Sequence, residues 1–163
     1  MMIFITTGTQ EPFDRLLSTM EICAAKFPEV EFVAQAINTD VDANNLKIEG
    51  FLSPSTFNDY FDRADLIVGH AGMGTIITAL VKQKALIVIP RDASLGEHRN
   101  DHQLATAKKM SALNYVKVAY TSEELINFVE LFINNEIAVT SVKLTPYASD
   151  SLIAELKTLF GNS

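Results

Sequence analysis

The sequence predicts an α/β protein: one Rossmann-like, doubly wound domain over residues 1–163, built on a mainly parallel sheet of about six strands. Three observations lead there. Short β-branched runs alternate along the chain with longer stretches of helical periodicity, as β-α-β units require. Ile3-Phe4-Ile5 and Ala85-Leu86-Ile87-Val88-Ile89 are apolar at every position, the pattern of strands buried on both faces. Glycine-bearing turns, at Gly8-Thr9 and from Gly69 to Gly74, stand where strand passes into helix.

Ile3 to Thr7 is the first strand, followed by the polar turn Gly8-Thr9-Gln10-Glu11-Pro12. From Phe13, apolar residues recur at Leu16, Leu17, Met20, Ala24 and Phe27, a helical stripe that stops before Pro28. Glu31 to Ala34 gives a second strand, and Leu46 to Phe51 alternates as a third. Between them, Asn38 to Asn45 is a polar loop holding Asp40-Val41-Asp42; the turn formers around this D-x-D favour a solvated loop over a divalent-metal site. Ser53-Pro54-Ser55 opens a short helix through Tyr60 and Phe61, with Ser55 as its expected N-cap. Leu66 to Val68 is the fourth strand, and Ile76 to Lys82 is helical beyond the glycine turn. Ala85 to Ile89 is a central fifth strand stopped by Pro90. A polar loop, Arg91 to Asn100, feeds a helix over 101–113 with Leu104, Ala105, Ala107 and Met110 on its inner side. Tyr115 to Ala119 is the sixth strand, and Thr121-Ser122-Glu123-Glu124 is a capping box opening the apolar helix Leu125 to Ile133. A last helix is expected over 147–160, striped by Leu152, Ile153, Leu156 and Leu159.

With 48% hydrophobic and 20% charged residues, the composition is that of a globular protein, and no apolar run approaches the roughly 18 residues of a membrane span. The N-terminus lacks a basic, signal-like region, so a cytoplasmic protein is expected. Cys23, the single cysteine, lies on the apolar side of the first helix and reads as an inert buried thiol. A net charge of −7 excludes a general nucleic-acid binder, so any phosphate must be held locally.

In doubly wound sheets ligands bind beyond the C-terminal strand ends, near the switch point of the strand order. Three polar segments converge there: Gly8-Thr9-Gln10, His70 to Thr75, and Arg91 to Gln103. The glycine turn offers unpaired N–H groups and the positive end of a helix dipole, an arrangement suited to phosphate, with His70 and Thr75 as flanking donors. No G-x-G-x-x-G follows the first strand, which disfavours a dinucleotide module. Arg15, Arg91 and Arg99 have two readings, supplementary anion ligands or solvated surface residues.

His70-Ala71-Gly72-Met73-Gly74-Thr75, then Ala79-Leu80, Ile87-Val88-Ile89-Pro90, Asn100-Asp101-His102-Gln103 and Ala107, resembles the nucleotide-sugar-binding half of GT-B glycosyltransferases, the family 28 C-terminal domain. Ile5-Thr6-Thr7-Gly8-Thr9 with Phe13-Asp14-Arg15-Leu16 is similar to a small branch of it. That branch comprises the cytosolic subunit of the eukaryotic dolichol-linked GlcNAc transferase and bacterial capsule and exopolysaccharide subunits. The resemblance implies that His70 and the N–H groups of Gly72 and Gly74 hold a diphosphate, that Thr75 adds a hydroxyl, and that Gly8 and Thr9 close over the same group. It implies that Gln103, with Asp101 or His102, meets the sugar hydroxyls. Thr78 departs from the family's usual glutamate, which takes the ribose hydroxyls. Threonine is too short for that bidentate contact, so another group serves, the nucleotide differs, or the site is weaker. Gln83-Lys84-Ala85 replaces the family's Gly-Lys-Pro, a change to a turn rather than to chemistry.

The implied function is that of a glycosyltransferase subunit which binds a UDP-sugar for transfer to a lipid-linked saccharide in polysaccharide biosynthesis. The resemblance implies no metal and no cofactor beyond the donor substrate. A GT-B cleft needs two domains, so a membrane-associated partner subunit is expected to bring the acceptor site and the general base. The chain is then expected to be inactive alone, peripheral at the membrane through its partner, and prone to form a homo-oligomer without it. The alternative is a non-catalytic nucleotide-sugar-binding regulatory subunit.

Overall fold

All five residues of β1 (Met2–Thr6) are buried, which requires a strand with neighbours on both edges and helices on both faces. The computed structural model describes residues 1–112 and 116–139, together with Ala154 and Thr158. The remaining strands are β2 (Glu31–Gln35), β3 (Lys47–Glu49), β4 (Leu66–His70), β5 (Leu86–Ile89) and β6 (Lys117–Val118). They form one parallel sheet in the order β3-β2-β1-β4-β5-β6, with Ile5 opposite Ala34 on one side and Val68 on the other.

Strand alternation divides the core in two. Ile3 and Ile5 point to one face, where α1 (Asp14–Lys26) supplies Leu16, Leu17 and Met20 and α5 (Ser122–Ile133) supplies Leu125 and Val129. Met2 and Phe4 point to the other, beneath α2 (Pro54–Arg63), α3 (Met73–Val81) and α4 (His102–Ala112). There the Phe4 ring stacks on Tyr60 at 5.5 Å and meets Phe57 edge-on, also at 5.5 Å. Cys23 is buried on the α1 side, and burial pushes its thiol up to about 12. Asp40 and Asp42 are exposed in the connection from β2 to β3. Glu21 anchors that connection, accepting from the N–H groups of Asn44 and Asn45 at 3.0 Å and Leu46 at 2.8 Å.

Several boundaries differ from expectation for local reasons. Ser53, not Ser55, caps α2, accepting from the Thr56 N–H at 3.3 Å. Pro54 has no N–H to lose and a preset φ, so the helix starts on it and the cap is the residue before it, two positions ahead of Ser55. The third helix starts at Met73 rather than Ile76, because the glycine turn is itself its first turn. On α4, Ala107 and Met110 face inward as expected, but Ala105 is exposed and Leu104 only half-buried; Gln103 and Thr106 are the other buried positions. Leu113, Tyr115 and most of the helix expected over 147–160 lie outside the described residues. Ala154 and Thr158 are helical, with the Thr158 hydroxyl donating to the Ala154 carbonyl at 2.9 Å.

Candidate functional site

β1 and β4 are neighbours in the sheet, but the chain leaves β1 toward α1 on one face and leaves β4 toward α3 on the other. Their diverging loops leave a crevice at the C-terminal strand ends. It is a cleft of about 370 Å³ whose walls include Gly8 and Thr9 after β1, the 70–75 turn after β4, and Arg91, His98, His102 and Gln103 after β5. All three histidines of the sequence therefore border one cavity. Gly72 is the N-cap of α3, and no side chain caps that helix. Its first-turn N–H groups have no intrahelical acceptors and the helix dipole places partial positive charge beside the cleft.

His70 is wedged between two glycines. A Cβ on Gly72 would stand 2.1 Å from the imidazole Cε1, and one on Gly8 would stand 2.8 Å from Nε2. Gly8 also has φ of +82°, a left-handed conformation that L side chains resist. The ring's protonation follows from a chain of contacts. The Arg91 backbone N–H donates to Gln103 Oε1 at 3.1 Å, which turns the amide nitrogen of Gln103 toward His70 Nδ1 at 3.2 Å. Nδ1 must then accept, leaving the proton on Nε2. Burial, with the positive charge of Arg91, holds the His70 pKa down to about 3, so the ring is neutral near pH 7. His70 is thus a fixed neutral donor.

These features together can receive a phosphate: backbone amides at a helix N-terminus, a neutral N–H donor, and glycines that admit close approach. The profile of the glycosyltransferase family 28 C-terminal domain matches residues 2–145. The chain belongs to this family. The UDP-N-acetylglucosamine transferase subunit ALG13 of Candida albicans is 37% identical over 93 residues, 57% of this chain and 30% of that protein. The match thus spans under a third of the relative's length. The solution structure of ALG13 aligns with a TM-score of 0.62 at 21% identity over 94% of each chain. The crystal structure of Acinetobacter baumannii MurG aligns with a TM-score of 0.58 at 19% identity, over 95% of this chain and 49% of that one. These two likenesses speak to the fold.

In this family 28 domain, the structure brings together eight of the ten expected site residues: Gly8, Thr9, His70, Gly72, Gly74, Thr75, His102 and Gln103. Thr78 and Asp101 do not line the cleft. The Thr78 hydroxyl donates back to the Gly74 carbonyl at 2.7 Å, one helical turn earlier. Gln103, expected to meet sugar hydroxyls, is 8% exposed and uses both ends of its amide inside the protein. The arginine readings separate. Arg99 is exposed. Arg15 pairs with Glu97 through Nε at 2.5 Å and Nη2 at 2.9 Å, and Nη2 also donates to the Pro90 carbonyl at 3.0 Å. Arg91 is buried, contrary to a solvated role, and its Nη2 donates to the carbonyls of Thr7 and Glu11 at 2.7 Å each.

Two contributors escaped the sequence reading. Gln35 accepts from the Thr6 hydroxyl at 2.9 Å and donates to the Gly8 carbonyl at 3.3 Å, so it fixes the glycine turn. Its only signal is a polar residue ending a strand opposite Thr6. His98 lies in the loop that carried no motif beyond polarity. Beside the polar cleft, and sharing Thr9 with it, an apolar hollow of about 410 Å³ is lined by Gln35, Phe51, Leu52, Pro54, Phe57 and Asn58. Among the described residues no cluster of three or more His, Cys, Asp or Glu is arranged for a metal ion, and no helix is long and apolar enough to cross a membrane.

Proposed function

We propose that this chain is the donor-binding subunit of a glycosyltransferase that takes a UDP-sugar and passes the sugar to a lipid-linked saccharide with a membrane-associated partner. The observation that carries the reading is one cleft holding the uncapped N-terminus of α3 and the neutral donor His70. A nucleoside diphosphate gains negative charge as the glycosidic bond breaks, and donors fixed beforehand stabilise that charge without reorganising. His70 Nε2–H and the amides around Gly72, Gly74 and Thr75 take the diphosphate, with Gly8 and Thr9 over it. His102 borders the sugar end, while Gln103 acts by holding the His70 tautomer. The neighbouring apolar hollow suits the flat nucleobase, reached past Thr9. No metal enters this scheme. The partner contributes the second wall of the cleft, the acceptor site and the general base, since one domain cannot orient both reactants. The ALG13 relative is named a transferase subunit, which supports a divided enzyme. Thr78, turned back onto its own helix, favours a second reading, a nucleotide-sugar-binding regulatory subunit whose partner holds all of the catalysis.

Calorimetry with UDP, UDP-N-acetylglucosamine and NAD tests binding. Uridine nucleotides should bind, NAD should not, and His70→Ala should weaken UDP tenfold to a hundredfold, as loss of a hydrogen bond to a charged group implies. Transfer from labelled UDP-sugar to a lipid-linked acceptor should need solubilised membranes of the source organism as well as this chain. Failure of the purified protein to bind any uridine nucleotide would remove the proposal, and transfer by the lone chain would remove the divided enzyme.

A further inference from the structure

We propose that Arg91 supplies the positive charge of this cleft, its guanidinium neutralised by the ligand's phosphate while it ties the β1–α1 loop over the site. The proposal rests on the diphosphate reading above. Arg91 is 3% exposed, yet among the described residues it forms no ion pair. Its Nε is fully buried with no hydrogen-bond partner, the sole such side-chain atom among the described residues. Two carbonyls, of Thr7 and Glu11, engage Nη2, and the Phe13 ring lies 4.9 Å from the guanidinium carbon.

A buried cation normally acquires a carboxylate, because leaving it unpaired is costly. The candidates here are diverted. Glu97 is taken by Nε and Nη2 of Arg15 and by the Asp92 N–H at 3.1 Å. Glu11 offers Arg91 its backbone carbonyl, and among the described residues its carboxylate acts on the guanidinium only at long range, as that of Glu97 does, with no ion pair to it. A buried polar atom without a partner in a folded protein calls for an explanation, and for a cation that lines a cleft a bound anion supplies one. Arg91 lines the same cavity as the α3 N-terminus and His70, so one anion there meets a formal charge as well as dipoles. The two Nη2 bonds give the residue a second effect. They fasten Thr7 and Glu11, the residues bracketing Gly8 and Thr9, to the far side of the cleft.

The test compares wild type, Arg91→Met and Arg91→Lys by calorimetry with inorganic pyrophosphate, UDP and uridine at two salt concentrations. Arg91→Met should bind pyrophosphate and UDP at least tenfold more weakly and with a shallower salt dependence, while uridine binding is unchanged. Arg91→Lys, which keeps the charge but not the fork, should lie between. Binding of pyrophosphate and UDP by a folded Arg91→Met variant within twofold of wild type would overturn the role of Arg91 and leave the cleft assignment standing. Absence of binding by wild type would instead overturn the cleft assignment and this proposal with it. If Arg91→Met does not fold, the arginine Nε–H resonances of the 15N-labelled wild-type protein decide. Pyrophosphate should shift the Arg91 signal, and an unmoved signal at saturation would overturn the proposal.

Discussion

Gly72 and Gly74 are two residues apart in one turn, yet adding a methyl to them has different consequences. At Gly72 the new Cβ lands 2.1 Å from the His70 ring, whereas at Gly74 nothing lies within 4 Å. Gly72→Ala should therefore displace the imidazole, cost about 1–3 kcal/mol as overpacking does, and weaken UDP at least tenfold. Gly74→Ala should leave the His70 ring in place and gain about 0.5–1 kcal/mol from helix propensity, so any loss of UDP affinity there reports the ligand's approach to the turn and not a displaced imidazole. Urea melts and UDP titrations of both variants check this, and equal behaviour would contradict it. The cluster around His70 was legible because turn glycines beside a histidine have few uses. Individual duties were less so. The family resemblance implied an amide role for Gly72, and only the folded structure shows that its missing side chain makes room for His70. The sequence left Arg91 with two readings, anion ligand or solvated surface residue, because arginine is usually exposed and its burial is decided by loops distant in sequence.

At the scale of elements, the strands and helices of the described residues were readable, since each β-α unit writes its own periodicity, and β2 and β3 follow one another without a helix, as the polar loop between them implied. The cap expected at Thr121 formed, but the return bond of the capping box is shifted by one residue. Thr121 accepts from the Glu124 N–H at 3.1 Å, while the Glu124 carboxylate takes the Tyr120 N–H at 2.8 Å. Thr121→Ala should lower stability by about 1 kcal/mol, measured by urea unfolding, with UDP affinity unchanged because α5 is remote from the cleft. A loss of affinity at equal stability would mean that α5 communicates with the site. The inward face of α4 was misread because it is turned by the site and not by apolar periodicity. Gln103 is buried to serve His70, and a stripe built from Leu104 and Ala105 has no means of registering that.

Across the whole molecule, His70 makes folding sensitive to acid. Its pKa falls from 6.5 to about 3 on folding, mainly through burial, so between these values the unfolded chain binds the extra proton. The stability due to neutral His70 is complete above about pH 6.5 and declines as pH drops toward 3, by no more than about 1.4 kcal/mol per unit. Wild type should lose more stability between pH 7 and pH 5 than His70→Gln does, as followed by urea midpoints. Equal losses would show that other groups govern the acid response. The strand order has a further result in time. β1 pairs directly with β4, so the first strand waits through more than sixty residues for its second neighbour, as the pairing of Ile3 with Leu66 shows. The cleft needs Gly8 from the start of the chain and Gln103 from well past its middle. During synthesis, therefore, the cleft stays incomplete until the ribosome has delivered α4, and a chain released early, whatever local structure it keeps, is born without it.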